Sequence, residues 1–489
     1  MAKYDYDMGI IGGGAAGLTV ASGASQLGAK TLLVEKEPYL GGDCLHFGCV
    51  PSKTLIRSAH VYHLMRNARR FGLPHVHVPP VDFKQIAARI RQVIDTIQHH
   101  DSEERFCGLG AKVEFGIAEF VDEHTIALDG QRISAKNWLI ATGSSPVVPP
   151  IPGLQNIDYL TNKDIFSLDS LPPALLVLGA GPIGIEMAQA FNRLGAEVTV
   201  VDRSDHILGK EDSDMADELM SAMQKEGVRF YLGASVEAVD EKNHIKVVKI
   251  NDAAGELRTL RAQAILVAMG RSPNVGELGL ENIGIDYDRR GIMVDNRMRT
   301  NHKHIYAAGD VNGGLQFTHA AGYEGGIVVS NAIFRLPRKA DYTYFPWCTY
   351  CDPELASIGM NEKTARSKGI AYAVWDEAFV DNDRCLAEDQ TVGKVKMILD
   401  SSEKPLGIQI LGPRAGDLIS EWVATLNGKV KLATLAGAVH PYPTIGEINK
   451  KVAGNLFAPK IFSPKVQKGL KFFFQLKGRA CSLREDSEN

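Results

Sequence analysis

Two thiols, Cys44 and Cys49, lie in the stretch Gly41-Gly42-Asp43-Cys44-Leu45-His46-Phe47-Gly48-Cys49-Val50-Pro51-Ser52-Lys53, with four residues between them. Cysteines so placed near a helix start can close a disulfide, and a helix N-terminus favours thiolate over thiol once the bridge opens. Two readings follow, a structural staple and a redox centre. Seven cysteines in 489 residues do not make a disulfide scaffold; they suggest a reducing compartment with a few special thiols. The redox centre is the better reading.

The elements that must position these thiols are written around them. Met8-Gly9-Ile10-Ile11 is a short apolar strand that delivers Gly12-Gly13-Gly14-Ala15-Ala16-Gly17, after which Leu18 to Leu27 reads as a helix. Gly12 would make the tight turn, Gly14 would let the backbone approach a pyrophosphate, and Gly17 would let helix and strand pack closely. A second strand, Thr31-Leu32-Leu33-Val34, ends in Glu35, whose carboxylate is placed to bond a ribose hydroxyl. The same arrangement recurs: Leu175-Leu176-Val177-Leu178 leads into Gly179, Gly181 and Gly184, and Val198-Thr199-Val200-Val201 leads to Asp202. Gly17 to Glu35 and Gly184 to Asp202 are equal intervals, so two dinucleotides are expected. Glycines that merely punctuate turns would explain one copy but not two. The Asp202 carboxylate would repel a 2′-phosphate and so favours NADH over NADPH, while Arg203 beside it pulls the other way.

Strand-to-turn signals mark where each unit closes: Trp138 to Ser144 through Ala141-Thr142-Gly143, Ala264 to Arg271 through Gly270, and His304 to Asp310 after the second unit is complete. The first domain is therefore expected to be discontinuous, with the second inserted. The boundaries read as 1–150, 151–271, 272–344, a third domain of different texture over 345–459, and a tail over 460–489. The fold class is α/β with two Rossmann-like units.

Charge and hydropathy narrow the function classes. Fifty-four basic and 58 acidic residues nearly balance, so no extended basic field recommends a nucleic-acid partner. No apolar run is long enough to span a bilayer. Met1 to Asp7 lacks the basic, apolar and cleavage segments of a signal peptide, so a soluble, cytoplasmic protein is expected.

Taken together, the paired cysteines, both fingerprints, Ala141-Thr142-Gly143, Ala308-Gly309-Asp310 and Asp352-Pro353-Glu354 resemble, in their order, the flavin-dependent pyridine nucleotide-disulfide oxidoreductases, among them dihydrolipoamide dehydrogenase, glutathione reductase and mercuric reductase. The resemblance covers residues 4 to about 458. It implies FAD in the first site, the nicotinamide in the second, and an α+β dimerisation domain from about 345. It makes Cys44 the interchange thiol that meets substrate and Cys49 the charge-transfer thiol beside the flavin. Lys53 would lie near flavin N5 with Glu186 as its partner, and Asp310 would hold the ribityl chain. Thr318 and His319 would start the helix facing the pyrimidine end, and Ala118 joins the cofactor-binding set. Electrons would pass from NAD(P)H through the flavin to the Cys44–Cys49 pair and on to an acceptor. The active site would be shared between subunits of a homodimer, with Tyr442 and Glu447 approaching the partner's cysteines.

One departure bears on the acceptor. Disulfide-reducing members carry His-Pro-Thr-x-x-Glu, and here the matching stretch is Tyr442-Pro443-Thr444-Ile445-Gly446-Glu447. A phenol titrates near ~10 and an imidazole near ~6.5, so Tyr442 cannot shuttle protons at neutral pH as the histidine does. His440 is a hydrogen-bonded structural residue or a displaced base; its spacing to Glu447 argues against the second. A tyrosine here is similar to mercuric reductase, where Cys44 and Cys49 would act as transient ligands of a substrate metal ion, with no structural metal. The adjacent C-terminal cysteine pair of that enzyme is missing, and Cys481 stands in the tail. The expected acceptor is thus a metal ion or small oxidant, with dihydrolipoamide dehydrogenase as the enzymatic alternative. A redox-sensing flavoprotein acting through its tail is a third reading.

Weaker signals remain. Cys348-Thr349-Tyr350-Cys351 has half-site spacing but no partners, and strand packing is expected. Cys107 and Cys385 are expected as buried small hydrophobes. From Lys460 through Phe472-Phe473-Phe474 to Arg479 the tail mixes lysines with aromatics, and dimer packing is expected over a membrane surface because Gly469 should interrupt a helix.

Overall fold

A computed structural model describes residues 4–478 and 480–481; Arg479, the end of the basic tail stretch, lies outside them. The described chain divides into two units, one of residues up to Tyr342 together with Thr349–Cys351, the other of Thr343–Cys348 and the residues from Asp352 onward.

In the first unit, the strand Tyr6–Ile11 lies between Thr31–Glu35 and Gln131–Ile140, all parallel, and Ala111–Phe115 extends the sheet beyond Thr31–Glu35. Parallel strands are covered on both faces, which is why Thr31–Glu35 is buried along its whole length. Alternation sorts the side chains: Ile10, Leu33, Leu139 and Tyr306 enter one core, and Ile11, Leu32, Trp138 and Ile305 the other. The ten-residue strand Gln131–Ile140 serves two partners. Its first half pairs antiparallel with Thr125–Leu128, and its last residues pair in parallel with both Tyr6–Ile11 and Ile305–Ala307. Chain far downstream thus returns to the first sheet. Gly9 has no side chain because the Trp138 ring lies over it, where a Cβ would stand 2.2 Å from the indole.

The second parallel sheet runs Arg229–Tyr231, Glu197–Val201, Ala174–Leu178, Ala264–Val267. An antiparallel meander of Ser235–Lys242, Ile245–Asn251 and Leu257–Ala262 lies in the chain between Arg229–Tyr231 and Ala264–Val267. In the second unit, Glu354–Gly359, Pro405–Gly412, Lys394–Leu399 and Ala373–Ala378 pair antiparallel, and their core takes in Trp422, Phe379 and Ile448. The helices Ala415–Asn427, Leu432–Gly437 and Glu447–Asn455 send side chains into the same core.

Several expectations need correction. The first helix runs Ala15–Gln26, beginning three residues before Leu18, because extended Gly14 is its N-cap and the two alanines that follow are strong helix formers. Cys107 is exposed rather than buried, since the short helix Glu103–Gly108 turns only Phe106 inward; Cys385 is buried as expected. Cys348 lies on the strand Pro346–Thr349, which ends before Cys351, so the two cysteines share no strand. Gly469 does not interrupt the tail helix, which runs Pro464–Phe474. Among the described residues, no helix is long and apolar enough to cross a membrane.

Candidate active site

Cys44 sits in the one-turn helix Gly42–His46, entered through Gly41 in the left-handed region (φ 108°). Cys49 is the first residue of the 18-residue helix Cys49–Arg66, whose N-cap Gly48 offers no side chain to the first turn. The Cys49 sulfur therefore stands at the positive end of a long helix. Both thiols are free, and Thr318 Oγ1 lies 3.3 Å from Cys49 Sγ. A hydrogen bond between the two sulfurs divides them. It pushes the Cys44 thiol well up, with burial adding to the rise. It pulls Cys49 down to about 6 against the opposing effect of burial, helped by Thr318 and the positive charge of Lys53 and resisted by Glu186. The reduced pair thus holds its proton on Cys44 and its charge on Cys49, and the two titrate as one system.

Lys53 lies one turn beyond Cys49 on the same helix. Its Nζ donates to Oε2 at 2.8 Å and Oε1 at 3.1 Å of Glu186, a buried residue of the helix Pro182–Leu194. Tyr350 completes the arrangement: its ring lies 4.5 Å from Lys53 Nζ and its backbone N–H donates to Glu186 Oε1 at 2.8 Å. The Cys-x-x-Cys segment therefore contributes through Tyr350, one of the two residues between its cysteines. In Lys53→Met a cause that lowers the Cys49 pKa is gone, so its thiolate will disappear at a higher pH as acid is added. Ultraviolet thiolate absorbance of the reduced enzyme measures this; an unmoved midpoint would assign the shift to Cys44 and Thr318 alone.

A second polar cluster gathers residues far apart in sequence. Ser144 Oγ donates to Asp310 Oδ2 at 2.5 Å, while Arg271 Nε donates to Ser144 Oγ at 2.7 Å and Arg271 Nη2 lies 3.2 Å from Asp43 Oδ2. Burial raises the Asp310 carboxyl, with Ser144 and Arg271 opposing the rise. Glu324, almost wholly buried, accepts from Gly309 N at 2.7 Å and from Tyr342 OH at 2.6 Å, and so fixes the turn that presents Asp310. Thr142 and Gly143 are clamped to Asn274: Thr142 Oγ1 donates to its carbonyl at 2.7 Å, and its N–H donates to Gly143 O at 2.9 Å. Thr318 begins the helix Thr318–Ala332, with the His319 ring beside Phe317.

The two glycine turns repeat each other atom for atom. Gly12 and Gly179 have φ of 110° and 112°. A Cβ on Gly17 would stand 1.9 Å from Gly12 O, and one on Gly184 would stand 2.0 Å from Gly179 O. Glu35 Oε2 accepts from Gly13 N at 2.6 Å, and Asp202 Oδ2 accepts from Ala180 N at 2.7 Å. Each acid thus braces the turn beside which it was expected to meet a ribose. Gly14 and Gly181 cap their helices without a side-chain bond, leaving both first turns of N–H groups for an anion. Gly42 approaches Gly14 so closely that a Cβ would meet its Cα at 2.8 Å. Such bare, side-chain-free turns fit dinucleotide pyrophosphates. Gly270 lies in the left-handed region with open space around it, and Ala118 starts the strand Ala118–Asp122 with its methyl in the core.

The remaining pair lies in the second unit. Tyr442 is 71% exposed, and its hydroxyl donates to Asp383 Oδ2 at 2.8 Å. That bond raises the phenol above its ordinary value, Asp383's charge adds to the rise, and Glu447 contributes a smaller push. Glu447 accepts from Thr444 N at 3.3 Å, so its hydrogen bond goes to the local turn and Tyr442's goes to Asp383. His440 Nε2 lies 2.9 Å from Glu421 Oε1, whose other oxygen accepts from Asn449 Nδ2 at 2.9 Å.

A dithiol with a charge-separated pair of sulfurs, set among dinucleotide-type glycine turns, defines a nucleotide-linked thiol redox protein. Comparison with known proteins gives the class its name. Residues 6–325 match the pyridine nucleotide-disulphide oxidoreductase family and residues 345–453 match its dimerisation domain. The chain is 35% identical to a mercuric reductase of Bacillus cereus over 91% of its length and 70% of that protein's. It is also 35% identical to a dihydrolipoyl dehydrogenase of Bacillus subtilis, over 91% of this chain and 96% of the relative. A solved structure, the Cu(II) complex of the HOCl-induced flavoprotein disulfide reductase RclA from Escherichia coli, superposes with TM-score 0.82 at 28% identity, over 93% of this chain and 100% of that one. The chain belongs to the FAD-dependent pyridine nucleotide-disulfide oxidoreductases.

Proposed function

We propose that the chain draws electrons from a nicotinamide dinucleotide, NADH in preference to NADPH, and delivers them through Cys44 and Cys49 to a soft metal ion or small oxidant. The observation that carries this reading is Tyr442, an exposed phenol whose proton is held more tightly because Asp383 accepts it. A disulfide acceptor needs a group that gives and takes a proton near neutrality, and this phenol does neither. A thiophilic cation needs two soft ligands, and the paired sulfurs offer them. The RclA structure is a Cu(II) complex and the Bacillus cereus relative is a mercuric reductase; both support a metal-facing dithiol. Asp202, poised at the second glycine turn, supports the NADH preference.

When bound, FAD would accept hydride from the nicotinamide and pass two electrons to sulfur. The chain's own residues do the rest: the glycine turns seat the pyrophosphates, Ser144 and Arg271 hold Asp310 in place, Lys53 supplies positive charge, and the Cys49 helix end keeps a thiolate available. Two copies, paired through the dimerisation domain, would bring the Tyr442 of one to the cysteines of the other.

His440 favours a second reading. Its imidazole is already paired with a carboxylate, two residues from Tyr442, and could serve a lipoamide-type substrate. Steady-state turnover with Hg(II), Cu(II), hypochlorite and lipoamide separates the two. The proposal expects metal or oxidant turnover, changed by less than about threefold in Tyr442→Phe and His440→Gln, with poor lipoamide turnover. Robust lipoamide turnover that collapses about 100-fold in His440→Gln would transfer the assignment to dihydrolipoamide dehydrogenase.

A further inference from the structure

The matched family ends at residue 453, yet an ordered helix follows it, Pro464–Phe474, capped by Ser463 Oγ accepting from Val466 N at 3.4 Å. No side chain of this helix is buried. Val466, Leu470, Phe473 and Phe474 fall at helical spacing on one face, and Lys465, Lys468 and Lys471 on the opposite one. Phe473 is 75% and Phe474 70% exposed, and Ile461, Phe462 and Leu476 extend the apolar surface at both ends. From 460 to 478 there are five lysines and no carboxylate, in a chain whose net charge is −4. Lys460, paired with Glu403, ties the start of the segment to the second unit.

We propose that this helix is a peripheral docking element for an anionic phospholipid surface. An apolar face of Phe, Leu and Val against acyl chains, with lysines turned to the headgroups, is the pattern such surfaces select. Charge complementarity points to lipid. The lysines stand with no carboxylate among them from 460 to 478, the one-signed charge that an anionic headgroup layer attracts. The helix also lies past the matched dimerisation domain, which ends at residue 453. The apolar face is short, which makes the attachment reversible and salt-sensitive.

The test is co-sedimentation of the flavin-loaded full-length protein with vesicles of phosphatidylcholine alone and of phosphatidylcholine with phosphatidylglycerol. The expected result is binding to the anionic vesicles about tenfold or more tighter than to the neutral ones, weakening as salt rises. Two variants, Phe473→Glu with Phe474→Glu, and Lys465→Gln with Lys468→Gln and Lys471→Gln, should each lose about tenfold or more while NADH-linked turnover and oligomeric mass stay as they were. Absence of anionic-vesicle binding, or equal binding by both variants, would overturn the proposal. So would a fall in oligomeric mass in the Phe variant, which would make the helix a contact between copies.

Discussion

Cys49→Ser will lower turnover with every acceptor that must be reduced by the dithiol by about 10³-fold or more, while reduction of a dye that takes electrons from the flavin directly stays within about threefold. A dithiol gives up two electrons by closing an S–S bond as its protons leave, and a serine oxygen cannot form that bond. It also cannot hold the charge that Cys49 holds, because its hydroxyl ionises far outside the range where the hydrogen bond from Cys44, the helix N-terminus and Lys53 act together. Cys44→Ser should stop the same turnover by a different route. A serine hydroxyl can still donate to the Cys49 sulfur, so Cys49 should remain a thiolate in that variant at neutral pH. The two variants therefore match in acceptor turnover and differ in thiolate absorbance. Retention of dithiol-dependent turnover by either one would remove the sulfurs from the electron path.

This asymmetry has consequences for pH. The Cys49 thiolate is present above about 6 and is lost as the pH falls through that value, so acceptor reduction should decline on the acid side there. Tyr442 works in the opposite direction: its phenol is raised, stays protonated across the neutral range, and adds no titration of its own.

How much of this was legible in the chain depends on sequence distance. Cys44, Cys49 and Lys53 lie within ten residues of one another, and their spacing alone places the second cysteine and the lysine one turn apart on a helix. The two glycine turns were equally readable because each packs strand, turn, helix and acid into one short stretch. Glu186 entered only through family resemblance, since nothing near it in sequence marks it as the partner of a lysine 133 residues away. Ser144 and Arg271 carried no functional signal, because their roles exist only after segments separated by more than 120 residues come together, and Glu324 carried none because it acts on the backbone N–H of Gly309. Tyr350 was hidden by its neighbours, as the flanking cysteines drew attention that belonged to the backbone N–H and ring between them. At the other end, Tyr442 and Glu447 were read as a pair, but Asp383, distant in sequence, accepts the phenol's hydrogen bond instead. Where a polar residue is held by short-range geometry, its role could be read; where folding chooses between two carboxylates, it could not.

Alanine at Gly17 and alanine at Gly184 are the same change made in two copies of one device, and they should fail in different ways. Neither glycine has a positive φ, so backbone strain is not the issue; space is. In a helix interior alanine gains roughly 0.5–1 kcal/mol over glycine. Here the added methyl would meet a backbone carbonyl at 1.9 Å in one case and 2.0 Å in the other, with Ile10 and Val177 closing the far side at 3.3 Å. A carbonyl built into the turn cannot swing away as a side-chain end can, so the helix must shift off its strand, at roughly 1–3 kcal/mol or more. The overlap wins over the propensity. Because the turn carries the N–H groups that would face a pyrophosphate, the shift should weaken binding as well as folding; at 1.4 kcal/mol per tenfold, about tenfold or more of affinity should go with it. Gly17→Ala should purify largely colourless and lose every activity in proportion to its missing flavin, with added FAD restoring part of both. Gly184→Ala should keep its visible spectrum and show a KM for the nicotinamide raised about tenfold or more, with the dithiol still reducible by a chemical reductant. If Gly184→Ala were the variant that lost colour, the two sites would be assigned the wrong way round.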